Sequence, residues 1–194
     1  MLHCMMLINS MKWLAAAAGA AGLAATVGAG PAFAADQPAE TVDLVADAAT
    51  VSGVVGETVP LSLQIRHAGT AYIYPATTEA ADQPGAFFAV PSGTAVTAVP
   101  SGCIAVVDGR IDIANWRMPG QSMYWCQGPV IELDGYMPGQ IGTWTFDLKI
   151  NEAEVLPGSL TAHLNCDAAE CRDVDPANDA APVTVNLATE PATA

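Results

Sequence analysis

The chain has 194 residues, of which 52% are hydrophobic and only 13% are charged, and its formal net charge is −14. This apolar content excludes an acidic disordered tail. The negative charge disfavours nucleic acid and anionic lipid as partners, because like charges repel.

The first 34 residues contain the three parts of a secretory signal peptide. Lys12 supplies the positive charge, an Ala-rich apolar run follows from Trp13 to Gly30, and Ala32-Phe33-Ala34 is a small-x-small cleavage site. We therefore expect a secreted or cell-surface protein that begins near Ala35 and keeps no membrane span after cleavage. The alternative is an uncleaved membrane anchor, because the run approaches the length that spans a bilayer.

The remainder, about 160 residues, is enough for one domain with a hydrophobic core. We expect a polar lead-in over 35–47, one β-sandwich over 48–187 and a flexible tail over 188–194. No stretch of ten or more residues has the apolar stripe of a helix. The first clear strand alternates four apolar residues with polar ones: Val59, Leu61, Leu63 and Ile65. Pro60 within it belongs at a strand start or an edge, because proline has no N–H to donate.

Later segments repeat this alternation. Asp108-Gly109 predicts a two-residue hairpin turn, because it lies between apolar alternating runs that include Ile111 and Ile113. The clearest strand points four residues one way: Trp144, Phe146, Leu148 and Ile150. Two further inward sets follow: Leu160, Ala162 and Leu164, then Val183, Val185 and Leu187. About eight strands without helices predict an all-β, immunoglobulin-like antiparallel β-sandwich.

Four cysteines remain once Cys4 leaves with the leader, and an even number in an exported chain indicates disulfides. Three pairings are possible. We favour Cys103 with Cys126, which bracket a hairpin-like stretch, and Cys166 with Cys171, which are close in sequence. A four-cysteine zinc site is the competing interpretation, although the spacing contains no C-x-x-C knuckle.

The order of turns and strands resembles a known family. The signals are Gly53–Val59, Pro91–Thr94, Pro100–Cys103, Cys126, Pro138–Gln140, Thr143–Ile150 and the Asp/Pro/Asn-rich turn Asp173–Asp179. In this order they are similar to bacterial extracellular conserved-repeat modules, often labelled a domain of unknown function. The match runs from about Val51 to Leu187, with a poor fit between Ala68 and Gly85.

The resemblance implies an immunoglobulin-like sandwich with a spacer, adhesion or assembly role, and it supplies no catalytic residues. Members occur singly or in tandem on secreted and surface proteins. This chain departs from the pattern by carrying one copy and by inserting Asn115–Met123 before Cys126. A tandem-spacer role is therefore in question.

An acidic loop near the end of the chain offers oxygen ligands of the kind that Ca²⁺ requires. The candidate ligands are Asp167, Asp173, Asp175, Asn178 and Asp179. A Cys166–Cys171 bridge would hold part of this loop in place. The alternative is a solvated turn, because the spacing is not that of an EF-hand and Asp-Pro-x-Asn is an ordinary turn former.

An aromatic group is the second candidate site. Trp116, Tyr124 and Trp125 lie around a short loop. Because neighbours on a strand face opposite sides, we expect one ring of the Tyr124-Trp125 pair to be exposed and able to stack on a sugar or anchor a protein. The alternative is that Trp125 or Trp116 packs against the Cys103–Cys126 bridge.

No motif indicates catalysis. His67 and His163 lie in no metal-protease pattern, and no nucleophile elbow or phosphate loop is present. Glu132 and Asp134 would share a strand face, as carboxylates of a hydrolase do, but so do many solvent-facing pairs. We therefore expect a non-catalytic module for adhesion, binding or envelope assembly.

The expected partner is a protein or a glycan at the cell surface, and no cofactor is expected apart from the calcium hypothesis. The alternatives are a carbohydrate-binding accessory protein and a small secreted hydrolase. Subunit pairing through an edge strand is a third, structural alternative.

Overall fold

The computed structural model describes residues 40–73, 84–115, 117–128, 136–164 and 173–188. The chain divides into two compact units after Gln37. All the described strands belong to the second unit, Pro38–Ala194. The first six strands are β1 Leu44–Ala46, β2 Ala49–Gly53, β3 Thr58–His67, β4 Gly85–Ala89, β5 Thr94–Ala98 and β6 Cys103–Val107. The other five are β7 Arg110–Ile111, β8 Met123–Gln127, β9 Ile141–Ile150, β10 Gly158–His163 and β11 Ala180–Leu187.

The strands form two sheets. One has the order β1-β3-β9-β5, and the other has the order β2-β11-β10-β4-β8-β6-β7. The named strands pair antiparallel, except that β2 runs parallel to β11. The all-β prediction is confirmed, but the described residues contain eleven strands and not eight. Sequence reasoning missed β1 and β2 because runs of three and five residues show too little alternation.

Two ten-residue strands, β3 and β9, form the centre of the smaller sheet. Their residues alternate between buried and exposed, as the sequence predicted. Pro60 lies third in β3, opposite Asp147 and outside the stretch that pairs with β1. The prediction of a strand-start or edge position for this proline is therefore confirmed.

The core lies between the two sheets. The ring of Phe146 on β9 lies 4.9 Å from Phe88 on β4 and 5.3 Å from Tyr124 on β8, measured between ring centroids. Since β9 belongs to one sheet and β4 and β8 to the other, the sheets pack face to face as a sandwich.

The fold begins earlier than predicted. Val42 is 2% exposed and all three residues of β1 are buried, within the segment expected to be a polar lead-in over 35–47. At the other end, Leu187 was expected to point inward but is 37% exposed. It pairs with Gly53 at the end of the β2–β11 ladder, so that the predicted inward set stops at Val185.

The hairpin at Asp108-Gly109 is confirmed. Both residues have positive φ, 50° and 74°, as a type I′ turn requires, and the turn joins β6 to β7. Ile113, however, lies in a 3-10 turn and is 66% exposed. The Asp112 carboxylate accepts a hydrogen bond from the Ala114 N–H at 3.1 Å, which turns the chain away from the strand.

A disulfide joins Cys103 on β6 to Cys126 on β8. The two residues are direct partners in the ladder and both are fully buried. This confirms the first predicted bridge and excludes the four-cysteine zinc site, because two of its ligands are oxidised. Cys166 and Cys171 lie outside the described residues.

Candidate functional site

Two distant segments meet beside β1. Val42 and Asp173 form an isolated parallel β-bridge, and the Val174 N–H donates to the Val42 carbonyl at 3.0 Å. The Leu44 N–H donates to the Asp173 carboxylate at 2.8 Å, across 129 residues of chain. The turn that precedes β11 is thereby fixed to the start of the first strand.

Asn178 ties these segments together. Its side-chain Nδ2 donates to the Asp43 carboxylate at 3.0 Å and to the Asp175 carboxylate at 3.3 Å. Its backbone carbonyl accepts from the Ala46 N–H at 3.1 Å. The residues Asp43, Asp173, Asp175, Asn178 and Asp179 are hereafter called the acidic cluster.

The carboxylates of the acidic cluster repel one another. Burial, together with the negative charges of Asp173, Asp43 and Asp175, raises the pKa of Asp179 to about 6. The side-chain oxygen of Asn178 is buried and has no hydrogen-bond partner. Within the described ranges, no three His, Cys, Asp or Glu side chains already stand around one point as metal ligands do.

Four of the five predicted calcium ligands belong to the acidic cluster, although they do not surround one point. They are Asp173, Asp175, Asn178 and Asp179, while Asp167 lies outside the described residues. Sequence reasoning missed Asp43, because it lies 135 residues before Asn178. A signal existed: Asp43 directly precedes the short apolar run that becomes β1.

The aromatic prediction is wrong in one respect: Tyr124 and Trp125 are both fully buried. Tyr124 faces the opposite sheet, and its hydroxyl donates to the Met118 carbonyl and accepts from the Gln121 N–H, each at 3.0 Å. Burial raises the pKa of this phenol. Trp116 lies outside the described residues.

Trp125 points away from the core and is nevertheless covered. It belongs to a second apolar cluster on the outer face of the larger sheet, formed with Ile104, Val106, Phe87 and Ile111. Its ring lies 4.8 Å from the Phe87 ring. A Cβ atom added at Gly85 would lie only 2.7 Å from the Trp125 ring, so the indole packs directly on the Gly85 backbone. Cys126, the next residue on β8, belongs to the core cluster. Trp125 and the disulfide therefore lie on opposite faces of the larger sheet.

His67 has a structural role. It is 1% exposed, and its Nε2–H donates to the Ala71 carbonyl at 2.6 Å. Nδ1 accepts from the Gly69 N–H at 3.2 Å and also lies 3.0 Å from the Asp43 carbonyl oxygen. Tyr136 stacks on the ring, with centroids 5.7 Å apart. Both ring nitrogens of His67 thus contact the backbone.

The two carboxylates considered for a hydrolase, Glu132 and Asp134, lie outside the described residues.

We expect His163 to make the fold less stable as the pH falls through about 6.5. His163 is exposed on one side, and the packing of its ring against Phe87 and Trp125 lowers its pKa below 6.5 by partial desolvation, so the unfolded chain binds the proton more readily than the folded one. The stability that neutral His163 contributes to the fold is present above the pKa of the unfolded chain and is lost as the pH falls below it. Denaturant melts of the wild type and His163→Gln at several pH values test this, because the variant should lose less stability between pH values of roughly 7.5 and 5.5. Identical pH profiles would contradict it.

The comparisons with known proteins identify no family. No family model matches the chain, and no curated protein matches it. One similar solved structure is described as AvmM, which catalyses macrocyclization in alchivemycin A biosynthesis; it has 12% identity and a TM-score of 0.36 over 81% of this chain and 93% of that chain. A chain of a CaDoc0917–CaCohA2 complex has 18% identity and a TM-score of 0.35 over 75% of this chain and 100% of that chain. Scores this low support no argument about function.

A last structural finding concerns the membrane. Across the segments that the structure describes, no helix is long and apolar enough to cross a bilayer.

Proposed function

We propose that the chain is an exported, non-catalytic, immunoglobulin-like module that binds a protein partner or assembles at the cell surface. The signal-peptide pattern and the resemblance to bacterial extracellular modules support this proposal. The buried Cys103–Cys126 disulfide supports it too, because such bridges persist in oxidising compartments.

The observation that carries the binding role is the outer face of the smaller sheet. Alternate residues of β3 and β9 turn outward in two adjacent rows. The exposed residues, hereafter the open face, are Thr58, Pro60, Ser62, Gln64, Arg66, Ile141, Thr143, Thr145, Asp147 and Lys149. They pair directly across the two strands, and the Ser62 and Thr145 hydroxyls lie 3.1 Å apart.

The open face differs in charge from the rest of the protein. Only Arg66, Asp147 and Lys149 are charged, and Arg66 is paired with Asp47 beside the face, so the face is close to neutral while the whole chain carries −14. Neutral hydroxyls and amides cost less to desolvate than charged groups. Such a face suits a polar, uncharged area of a protein surface, whose hydroxyls and amides can pair with its own.

A protein partner is favoured over a sugar. Two of the three rings that sequence reasoning offered for stacking on a sugar, Tyr124 and Trp125, are fully buried. The open face has no aromatic side chain. It offers hydroxyl and amide side chains in two adjacent rows instead.

The test is to place two negative charges on the open face. The double variant Ser62→Glu with Thr145→Glu puts them directly opposite each other. The matched control, Ser52→Glu with Asn186→Glu, changes an exposed neighbouring pair in the other sheet. Both variants should lose similar stability, because like charges on neighbouring strands repel.

Binding is then measured by adding each purified protein to washed envelopes of the producing cells. We expect the wild type and the control to sediment with the envelopes, and the open-face variant to bind about tenfold more weakly, since each 1.4 kcal/mol changes affinity tenfold. Loss of binding after protease treatment of the envelopes would identify a protein partner. Equal binding by all three proteins, or no binding by the wild type, would contradict the proposal.

A further inference from the structure

We propose that β2, Ala49–Gly53, is a self-association site that pairs antiparallel with the β2 strand of a second copy of this chain. The larger sheet would then continue from one copy into the other, across a two-fold axis at Val51. Because β2 and the open face belong to different sheets, this pairing is independent of the partner proposed for that face.

One side of β2 is open to another strand. β2 ends the order of the larger sheet and pairs on its other side with β11. The Ala188 N–H donates to the Gly53 carbonyl at 2.9 Å, so Gly53 and its alternate neighbour Val51 turn their backbone groups toward β11. Backbone direction alternates along a strand, so the N–H and C=O groups of Thr50 and Ser52 point to the open side. Among the described residues, no strand or bridge pairs with them there.

Four other strand edges of the described residues carry the features that prevent strand addition. The turn before β11 covers β1, and Pro60 stands in the part of β3 that β1 leaves unpaired. In β5 the register shifts, and the Val96 carbonyl accepts from the Gly120 N–H at 2.9 Å. The edge strand β7 has only two residues and carries Arg110. By contrast, β2 contains no charged residue and no proline, and its register with β11 is unbroken.

A second copy fits this edge because β2 is self-complementary. With the two-fold axis at Val51, Thr50 of each copy lies opposite Ser52 of the other, and each such pair can exchange both of its backbone hydrogen bonds. The exposed Thr50 and Ser52 side chains then meet on the outer face, where hydroxyl pairs are favourable across strands. On the inner face, the partly buried Val51 side chain gains apolar cover from its copy.

The charge of the chain favours the same strand as the point of contact. Copies that each carry −14 repel one another, so they can approach most closely where acidic side chains are absent or engaged. β2 has none, and Asp47 just before it pairs with Arg66 at 3.5 Å. Beyond the strand, the Glu57 carboxylate accepts from the Val54 N–H at 2.9 Å. A strand of five residues buries little surface, so we expect a weak dimer that forms at high protein concentration.

The test places charges at the two outward positions of β2. Thr50→Glu with Ser52→Glu sets like charges opposite each other in the proposed pair, and Thr50→Lys with Ser52→Lys does so with the other sign. A mixture of these two double variants instead brings opposite charges together in every pair. The matched control, Thr184→Glu with Asn186→Glu, makes the same negative charge change on β11, at the residues that lie beside Thr50 and Ser52.

Each protein is purified in the form in which the producing cells make it, and its fold is checked by circular dichroism. Its mass is then followed by sedimentation from roughly 10 µM to 1 mM, the range in which weak complexes dissociate. We expect the wild type and the β11 control to shift from monomer toward dimer over this range. Each β2 double variant should dimerise at least about tenfold more weakly, and their mixture should recover the dimer, because opposite charges across paired strands attract.

A wild type that stays monomeric at every concentration, β2 double variants that dimerise like the wild type, or a mixture that dimerises no better than its components would overturn the proposal. If only Ser62→Glu with Thr145→Glu abolished the dimer, the contact would lie on the open face, which would overturn it too. The envelope-binding assay is run at nanomolar protein, where the chain is a monomer, so the Ser52→Glu control of that assay is unaffected.

Discussion

Replacing Trp125 by alanine is expected to lower the free energy of unfolding by about 3–5 kcal/mol, as for other buried tryptophans. The ring lies on the outer face of the larger sheet, yet it is fully buried against Phe87 and the Gly85 backbone. Truncation would open a cavity and expose the glycine. Denaturant unfolding, followed by circular dichroism, measures the loss.

The control for this prediction is Met123→Ala on the same strand. Met123 begins β8 and is 37% exposed, so its truncation should cost less than about 1 kcal/mol. If Trp125→Ala were as stable as this control, the indole would not stabilise the sheet, and a role in ligand binding would again be the better explanation.

Removing the Cys103–Cys126 disulfide is expected to cost about 3–4 kcal/mol of folding stability, because the bridge closes a loop of moderate length in the unfolded chain. The two cysteines are separated by 23 residues. The double variant Cys103→Ala with Cys126→Ala tests this by denaturant unfolding. Both sites are fully buried, so alanine is a better replacement than serine, whose hydroxyl would need a partner.

The predicted Cys166–Cys171 bridge provides the comparison. It would close a much shorter loop, so its removal should cost about 2 kcal/mol. Unfolding of the wild type under reducing conditions should approach the sum of the two losses. A Cys103→Ala, Cys126→Ala variant as stable as the wild type would show that the bridge contributes nothing beyond the packing around it.

Sequence patterns predicted the long elements of this fold well. Regular alternation over ten residues identified β3 and β9, and Asp108-Gly109 identified a turn that needs two positive φ values. These features are local, since the period of burial and the turn chemistry are contained in a few consecutive residues. The Cys103–Cys126 pairing followed from the expected hairpin-like stretch between the two residues.

What the sequence did not predict depends on distant contacts. Alternation correctly placed Tyr124 and Trp125 on opposite faces, but it could not show that Phe87 and Ile104 cover the outer one. Likewise, Asp43 joins the acidic cluster only because Val42 pairs with Asp173 across the chain. An alternation with a period of two residues identifies a single strand, but it does not show which other strands pack beside it.

The parallel pairing of β2 with β11 determines how the fold would carry a mechanical load. The two strands match from Ala49 beside Val183 to Gly53 beside Leu187. Tension applied between Ala49 and Leu187 therefore runs along the strands, and it loads their hydrogen bonds together in shear instead of peeling them apart in turn. Forced unfolding is governed by the unfolding rate, so resistance along this axis would be set by the whole ladder acting at once.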